Sequence, residues 1–243
     1  MSVMQREMGG SRCTRRARDQ RGMTLVELLV AMSISLVISA MIILSWVALS
    51  GSYANTVRRG TASDFARQAL DRMEREVRDA EQPPATVSEV SIVRARPYYI
   101  VVYTTFNKSG NDDVTTPPRL VMYRLYGNGQ LWRFSDADGS GAIAGVNMSL
   151  EGPLGTPEAG EGAQLMIEDV VNLSTPTTAN PTELFSYIYY DSSGSLVHAH
   201  DVRGTQNRAQ IRAVEFNLLV DLNPGKSPVY WHVRTTAQLR NTR

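Results

Sequence analysis

Cysteine and histidine are scarce in this sequence, and their scarcity excludes several kinds of site. The 243 residues contain one cysteine, Cys13, which cannot form a disulfide within the chain or supply a multi-thiolate metal site. Three histidines are present. His198 and His200 lie two apart on a predicted strand, an arrangement that two exposed strand residues explain better than a metal pair. The sequence therefore predicts neither a disulfide framework nor a zinc site.

Net charge and aromatic content are also low. The formal charge is +1 and aromatic residues make up 7% of the chain, so there is no global basic field and no evident stacking surface for nucleic acid. The sequence contains no G-x-S-x-G elbow, P-loop or G-x-G-x-x-G motif. We therefore expect a protein that is not an enzyme and has no resident cofactor.

One acidic turn is a candidate calcium loop. Asp136, Asp138 and Ser140 place oxygen atoms at alternate positions around a glycine turn, as Ca²⁺ prefers. The twelfth position is Asn147 rather than the expected bidentate glutamate, and a solvated turn is the alternative. Residues 111–113 form a second acidic turn, whose spacing matches a calcium loop less well than that of the first. We predict no metal site, with calcium at the first turn as the one candidate.

The N-terminus combines a basic segment with a long apolar one. Residues 1–21 hold six arginines against one glutamate and one aspartate, and residues 28–57 carry no charge. About 20 apolar residues span a bilayer, and a secretory h-region has only 7–15. The pattern predicts a membrane-spanning segment over residues 23–57, with the N-terminus cytoplasmic and the rest of the chain periplasmic. Arg58 and Arg59, just beyond it, are expected to anchor the helix at the membrane interface by contacting lipid headgroups, with a partner's carboxylates as the alternative contact.

The helical pattern continues past the membrane segment, over residues 58–82, until Pro83 and Pro84 end it. Apolar residues at helical spacing predict one packed face, while the charged residues, Glu76 among them, are assigned to solvent. The predicted packed face consists of Phe65, Ala66, Ala69, Leu70, Met73 and Val77.

Residues 83–243 have the pattern of a β-rich domain. Alternating or β-branched runs bounded by turn residues predict strands joined as antiparallel hairpins, with long loops over residues 106–119, 135–163 and 174–182. The predicted strands are 87–93, 98–105, 120–126, 130–134, 184–190, 196–200, 211–220 and 229–239. The fold class is therefore α+β, with one long N-terminal helix whose second half packs on an antiparallel β-sheet.

The junction between the basic and apolar segments resembles a known processing motif. Gly22 is followed by Met23, Thr24, Leu25, Val26 and Glu27, which is similar to the prepilin signature of type IV pilins and type II secretion pseudopilins. The departure is Met23, where the family most often has phenylalanine. The resemblance implies the type IV pilin fold, a leader of residues 1–22, cleavage by prepilin peptidase between Gly22 and Met23, and N-methylation of Met23.

Glu27 is the most informative residue of this motif. An ionisable group in hydrocarbon costs on the order of 2.5–3.5 kcal/mol unless it finds a partner, so an ordinary membrane anchor has no use for it. The resemblance implies that Glu27 pairs with the freed N-terminal amine of a neighbouring subunit. Glycine at position 22 presents no side chain to the peptidase.

The resemblance also implies a group within the family. The segments 69–82, 121–134 and 235–241 are similar to minor pilins of the PilW-like group and to J-type pseudopilins. We expect a minor pilin at or near the tip of a type IV pilus, with a type II secretion pseudopilin or a signal-anchored periplasmic binding protein as alternatives. Expected partners are prepilin peptidase, other pilins or pseudopilins, the inner-membrane assembly platform and, before assembly, membrane lipid. DNA or a surface ligand at the tip is left open.

Overall fold

The structure, a computed structural model, describes residues 23–83, 90–106, 118–136, 141–148, 157, 160, 162–173, 182–221 and 230–240. Helix α1 spans Leu25–Arg78 and a short helix α2 spans Thr205–Ala209. The chain divides after Ser52 into two compact units. The strands of the described residues are β1 (Ile92–Ala95), β2 (Tyr99–Thr104), β3 (Arg119–Leu125), β4 (Leu131–Ser135), β5 (Gln164–Ile167), β6 (Phe185–Tyr190), β7 (Leu196–Ala199), β8 (Ile211–Asp221) and β9 (Tyr230–Gln238).

The first unit consists, in its described part, of the N-terminal half of α1. Every residue from 23 to 52 is exposed, including the large apolar side chains of Leu25, Leu44 and Trp46. By length and composition α1 can cross a membrane. A helix that is apolar all round needs lipid or other helices to cover it.

The second half of α1 packs on the sheets of the second unit through the predicted face, with two exceptions. Ala66, Ala69, Leu70, Met73 and Val77 are buried, as expected. Phe65 is 55% exposed, so its assignment to the packed face is wrong: it lies about 100° around the helix from its neighbour Ala66, which is fully buried. Glu76 is 1% exposed, so its assignment to solvent is wrong as well.

Helix α1 ends earlier than the predicted residue 82. After Arg78 the backbone pairs with β2 instead: the Glu81 amide donates to the Tyr103 carbonyl at 3.0 Å, and the Thr105 amide donates to the Asp79 carbonyl at 3.2 Å. This pairing with a strand satisfies the backbone groups that helix residues would otherwise use.

The strands form two antiparallel sheets rather than the expected single sheet. One has five strands in the order β1-β2-β3-β4-β5, and the other has four in the order β7-β6-β8-β9. The chain leaves the first sheet after β5, where Val170 and Val171 pair with the end of β8. Val170 and its partner Val220 are 50 residues apart, so no local pattern in the sequence predicts that they pair. Strand β5 and helix α2 were also not predicted, since both are too short to show a clear period.

The five-stranded sheet is covered on both faces. Ile100 and Val102 of β2 face the core that α1 shares with both sheets, whereas Val101 and Tyr103 face a second apolar cluster. Residues 143–148, within a segment predicted to be loop, cover that second cluster. Strand β8 of the other sheet alternates as predicted, with Val214, Phe216, Leu218 and Val220 buried. Residues of α1 belong to the same buried cluster as residues of both sheets, so the second half of the helix packs against both of them.

The two predicted hairpin turns are present. Gly129 closes the turn between β3 and β4 with a backbone φ of +79°, and its amide donates to the Tyr126 carbonyl at 3.0 Å. In the turn between β6 and β7, the Asp191 carboxylate accepts the amides of Ser193 and Ser195, each at 2.9 Å. Glycine and aspartate therefore stand where the turn geometry needs them.

Candidate functional site

The predicted processing site lies where α1 begins. Thr24 caps the helix: its carbonyl accepts the Leu28 amide at 3.1 Å, and its Oγ1 accepts the Glu27 amide at 3.3 Å. Met23 immediately precedes this cap and is 65% exposed. Gly22, the other half of the predicted cleavage site, lies outside the described residues. The structure therefore places Met23 and Glu27 within about one turn of each other at an uncovered helix end.

Thr24 and Glu27 have the spacing of a capping box, which the sequence analysis missed. In such a box a Ser or Thr at the cap is followed three residues later by Glu. The negative charge of Glu27 also lies at the positive end of the helix dipole, where carboxylates are favourable. The T-L-V-E sequence therefore specifies where the helix starts as well as where a carboxylate stands.

The Glu27 side chain is available to a group from outside the chain. It is exposed and makes no ion pair with any residue that the structure describes. A cation held near this carboxylate would also be near the apolar side chains of Leu25 and Leu28, where low dielectric strengthens an ion pair. The arrangement can accept an amine or guanidinium from outside the chain.

A second carboxylate of α1, Glu76, is fully enclosed. Its oxygens accept the Arg133 Nε at 3.0 and 3.1 Å and the Tyr123 hydroxyl at 2.6 Å. Arg72, one turn earlier on the helix, donates to it at 3.3 Å. Tyr123 and Arg133 are cross-strand partners on β3 and β4. The cluster therefore ties the helix to the centre of the five-stranded sheet.

Burial and charge shift the pKa values of Tyr123 and Arg133, two of the side chains that contact Glu76. Burial, followed by the negative charge of Glu76, raises the pKa of Tyr123 well above its usual value. Burial opposes the charged form of Arg133, but the hydrogen bond and charge of Glu76 outweigh that effect, and the net pKa is raised. Tyr123 therefore stays protonated as a donor and Arg133 stays charged. The signal that could have located Glu76 is its place between Met73 and Val77 on the packed face.

The remaining predicted site residues are only partly within the described ranges. Arg58 and Arg59 are exposed on α1. Asp136 is buried and accepts the Gly141 amide at 2.8 Å, whereas Asp138, Ser140 and the acidic turn 111–113 lie outside the described residues. His198, His200 and His232 are exposed. Within the described ranges no group of three or more His, Cys, Asp or Glu residues could hold a metal ion.

Comparison with known proteins locates one match, at the N-terminus. Residues 17–43 match the model of the prokaryotic N-terminal methylation motif. This range contains two of the six N-terminal arginines, Gly22, Met23, the helix cap and Glu27. No curated protein matches the chain.

The match supports a pilin-like or pseudopilin-like substrate of prepilin peptidase that assembles with other pilin-type subunits. Proteins with this motif are structural rather than enzymatic, and the exposed apolar helix fits a membrane-anchored, pilus-associated protein. The long apolar helix and the antiparallel sheets are consistent with the type IV pilin fold.

Proposed function

We propose that this chain is a minor subunit of a type IV pilus, incorporated at or near its tip to prime assembly. The observation that carries the proposal is the methylation motif at residues 17–43, which coincides with a capped helix start and an exposed carboxylate that makes no ion pair with a described residue. The motif alone does not distinguish a minor subunit from a major one. The minor role rests on the sequence similarities of residues 69–82, 121–134 and 235–241, and on the lack of paired cysteines near the C-terminus.

The domain organisation that we propose follows from processing. Residues 1–22 form the leader, which prepilin peptidase removes on the cytoplasmic side. Residues 23–57 then form the membrane and filament-core segment, residues 58–82 the amphipathic segment, and residues 83–243 the periplasmic domain. The exposed apolar side chains between Met23 and Val57 support this arrangement, because each needs cover from lipid or from neighbouring helices.

Cleavage between Gly22 and Met23 creates a positive charge, the new α-amine of Met23. Methylation of that amine leaves the charge in place. An amine at the N-terminus of a helix faces the positive end of the helix dipole, which is unfavourable without a counter-charge. We propose that Glu27 of a neighbouring subunit supplies that counter-charge as apolar helices exchange lipid contacts for contacts with one another.

The experiment that tests processing is intact-mass and N-terminal analysis of the protein from membranes of cells that contain prepilin peptidase. We expect a chain of 221 residues, the full 243 less the leader of 22, beginning at Met23 with one added methyl group. Gly22→Val is expected to leave the uncleaved precursor. An uncleaved wild-type chain would favour the signal-anchored binding protein instead.

The experiment that tests assembly compares Glu27→Gln with Glu27→Asp. Both variants keep the cleavage site, and we expect both to be processed. Loss of charge in the glutamine variant is expected to remove most incorporation into filaments, whereas the aspartate variant keeps a carboxylate and retains part of it. Wild-type incorporation of the glutamine variant would contradict the charge-pair role. Loss of secretion with normal pili would favour the pseudopilin alternative.

A further inference from the structure

A groove on the second unit lies between α1 and β5, the last strand of its sheet in the described structure. Its walls consist of residues from the ranges 57–65 and 165–169, together with Val220 and Asp221, and it encloses about 590 Å³. Small-molecule sites in proteins have volumes of about 300–1,000 Å³. The groove is therefore large enough for a small molecule or for one end of a larger one.

Side chains of opposite charge line this groove. Arg58 lies on the α1 wall, and Glu168 and Asp169 lie on the opposite wall. All three are exposed, and none makes an ion pair with a described residue. Glu168 accepts a hydrogen bond from the neutral Gln130 side chain at 3.3 Å, which does not balance its charge. The groove therefore offers both a positive and a negative group to an occupant.

The carboxylates of the groove repel one another. Burial, followed by the negative charges of Glu168 and Asp221, raises the pKa of Asp169. The backbone holds two of these residues together, because the Asp221 amide donates to the Asp169 carbonyl at 2.9 Å. A cation beside them would offset the repulsion. These described side chains do not form a group that could hold a metal ion, and an organic ammonium with N–H donors fits them better.

The groove begins where the apolar run of α1 ends. Residues 28–57 carry no charge, and Val57 is the first residue of α1 that lines the groove. The headgroup layer of a bilayer adds roughly 5–7 Å to each side of the hydrocarbon core, which corresponds to about four residues of helix. With residues 23–57 across the bilayer, Arg58 therefore lies at the level of the lipid headgroups.

Strand β5 brings the carboxylates to the same end of the groove. Gln164, at the start of the strand, accepts a hydrogen bond from Arg72 at 2.7 Å. Glu168 and Asp169 follow the other end of the strand and share the groove with Arg58. The strand therefore runs along α1 from Arg72 towards the residues that follow the apolar run, and the two carboxylates lie at that end.

We propose that this groove binds the headgroup of phosphatidylethanolamine, a phospholipid with a phosphate and a primary ammonium. Arg58 donates to the phosphate, and the ammonium donates to Glu168 and Asp169. Val57 and Ala62, on the same wall as Arg58, contact the glycerol and the first methylene groups. A choline headgroup has three methyl groups in place of the N–H donors and cannot make these hydrogen bonds. The inference rests on the proposed function, in which the chain stays in the membrane before assembly, and it names one lipid partner for that stage.

The test is native mass spectrometry of the full chain, purified in detergent from membranes of cells that contain prepilin peptidase. Phosphatidylethanolamine, phosphatidylcholine and phosphatidylglycerol with the same acyl chains are added in equal amounts. Lipid that only covers apolar helix does not depend on the headgroup, so the readout is the ratio of bound lipids. We expect phosphatidylethanolamine to be retained about fivefold or more over each of the others, because phosphatidylcholine lacks N–H donors and phosphatidylglycerol lacks the cation.

Charge variants show whether the bound lipid occupies the groove. Glu168→Gln combined with Asp169→Asn is expected to abolish the preference for phosphatidylethanolamine. Asparagine tolerates the backbone φ of 60° at position 169. Arg58→Gln is expected to lower the retained phosphatidylethanolamine about threefold or more, because the phosphate loses its charged donor. The matched controls are Arg59→Gln and Asp64→Asn, exposed side chains of α1 outside the groove, and both are expected to keep the wild-type preference.

Equal retention of the three lipids by the wild type would overturn the proposal, and so would a preference that survives the double variant. A lipid-free wild-type dimer that is lost in the double variant would overturn it too, since a second copy would then occupy the groove. The mass of the lipid-free chain in the same spectra shows whether residues 1–22 were removed and Met23 was methylated. Failure of the lipid site therefore remains distinguishable from failure of the proposed function.

Discussion

The enclosed carboxylate of Glu76 predicts a large loss of stability when it is removed. Glu76→Ala takes away the acceptor of Tyr123 and the counter-charge of Arg133, which is 12% exposed. Breaking a buried pair by removing one partner costs about 3–5 kcal/mol. We expect the lower end, about 3 kcal/mol, because the exposed part of Arg133 can still be hydrated. In a domain of 150–250 residues that lowers the melting temperature by about 6–12 °C.

The measurement is thermal unfolding of the full chain in detergent, followed by near-ultraviolet circular dichroism of the aromatic residues. Glu76→Gln keeps an acceptor for Tyr123 and is expected to cost about 1 kcal/mol less than the alanine variant. The matched control is Asp71→Ala, an exposed carboxylate five residues earlier on α1, expected within about 0.5 kcal/mol of wild type. If Glu76→Ala and Asp71→Ala unfold at the same temperature, the reasoning about the cluster is refuted.

Two further predictions concern packing and buried polar groups. Met73→Ala is expected to destabilise the globular unit by about 2–5 kcal/mol, because this side chain is fully buried. Phe65→Ala is expected to destabilise it by less than about 1 kcal/mol, because this side chain is 55% exposed. Equal losses of unfolding free energy in denaturant titrations would contradict the exposure of Phe65. Asn172→Ala is expected to lower the free energy of unfolding by about 3 kcal/mol, because the buried Asn172 side chain donates to two carbonyls and accepts the Leu219 amide at 2.9 Å. The control is Asn128→Ala, which removes an exposed amide.

Local pattern was sufficient to predict the helix, most strands and the hairpin turns. The alternation along β8 predicted its buried side because one face of that strand meets the core. Period and turn chemistry act over a few residues, so they can be read without a partner. The methylation motif is also a local pattern. The match at residues 17–43 agrees with the prepilin-type motif that the sequence around Gly22 predicts.

Features that depend on distant contacts were not predicted. The partners of Glu76 lie 47 and 57 residues away on β3 and β4, so its neighbours in sequence place it beside the packed face but do not identify the groups that hold it there. The division into two sheets depends on which strands pair with β8, and the exposure of Phe65 depends on how far around α1 the packing against the sheets extends. Each of these is decided by tertiary packing, which overrides a local periodic pattern.

Two carboxylates of helix α1, Glu27 and Glu76, have different surroundings, which give them different roles. Glu76 has its partners within the chain, and they hold the helix on the sheet. Glu27 has none among the described residues and stands beside exposed apolar side chains. We therefore expect Glu76→Ala to lower the melting temperature, and so the amount of folded protein. Glu27→Gln should leave the melting temperature unchanged and reduce incorporation into filaments. Measured on the same preparations, stability and incorporation should separate the two residues. If a Glu27 variant has a lower melting temperature than the wild type, Glu27 contributes to folding rather than to assembly.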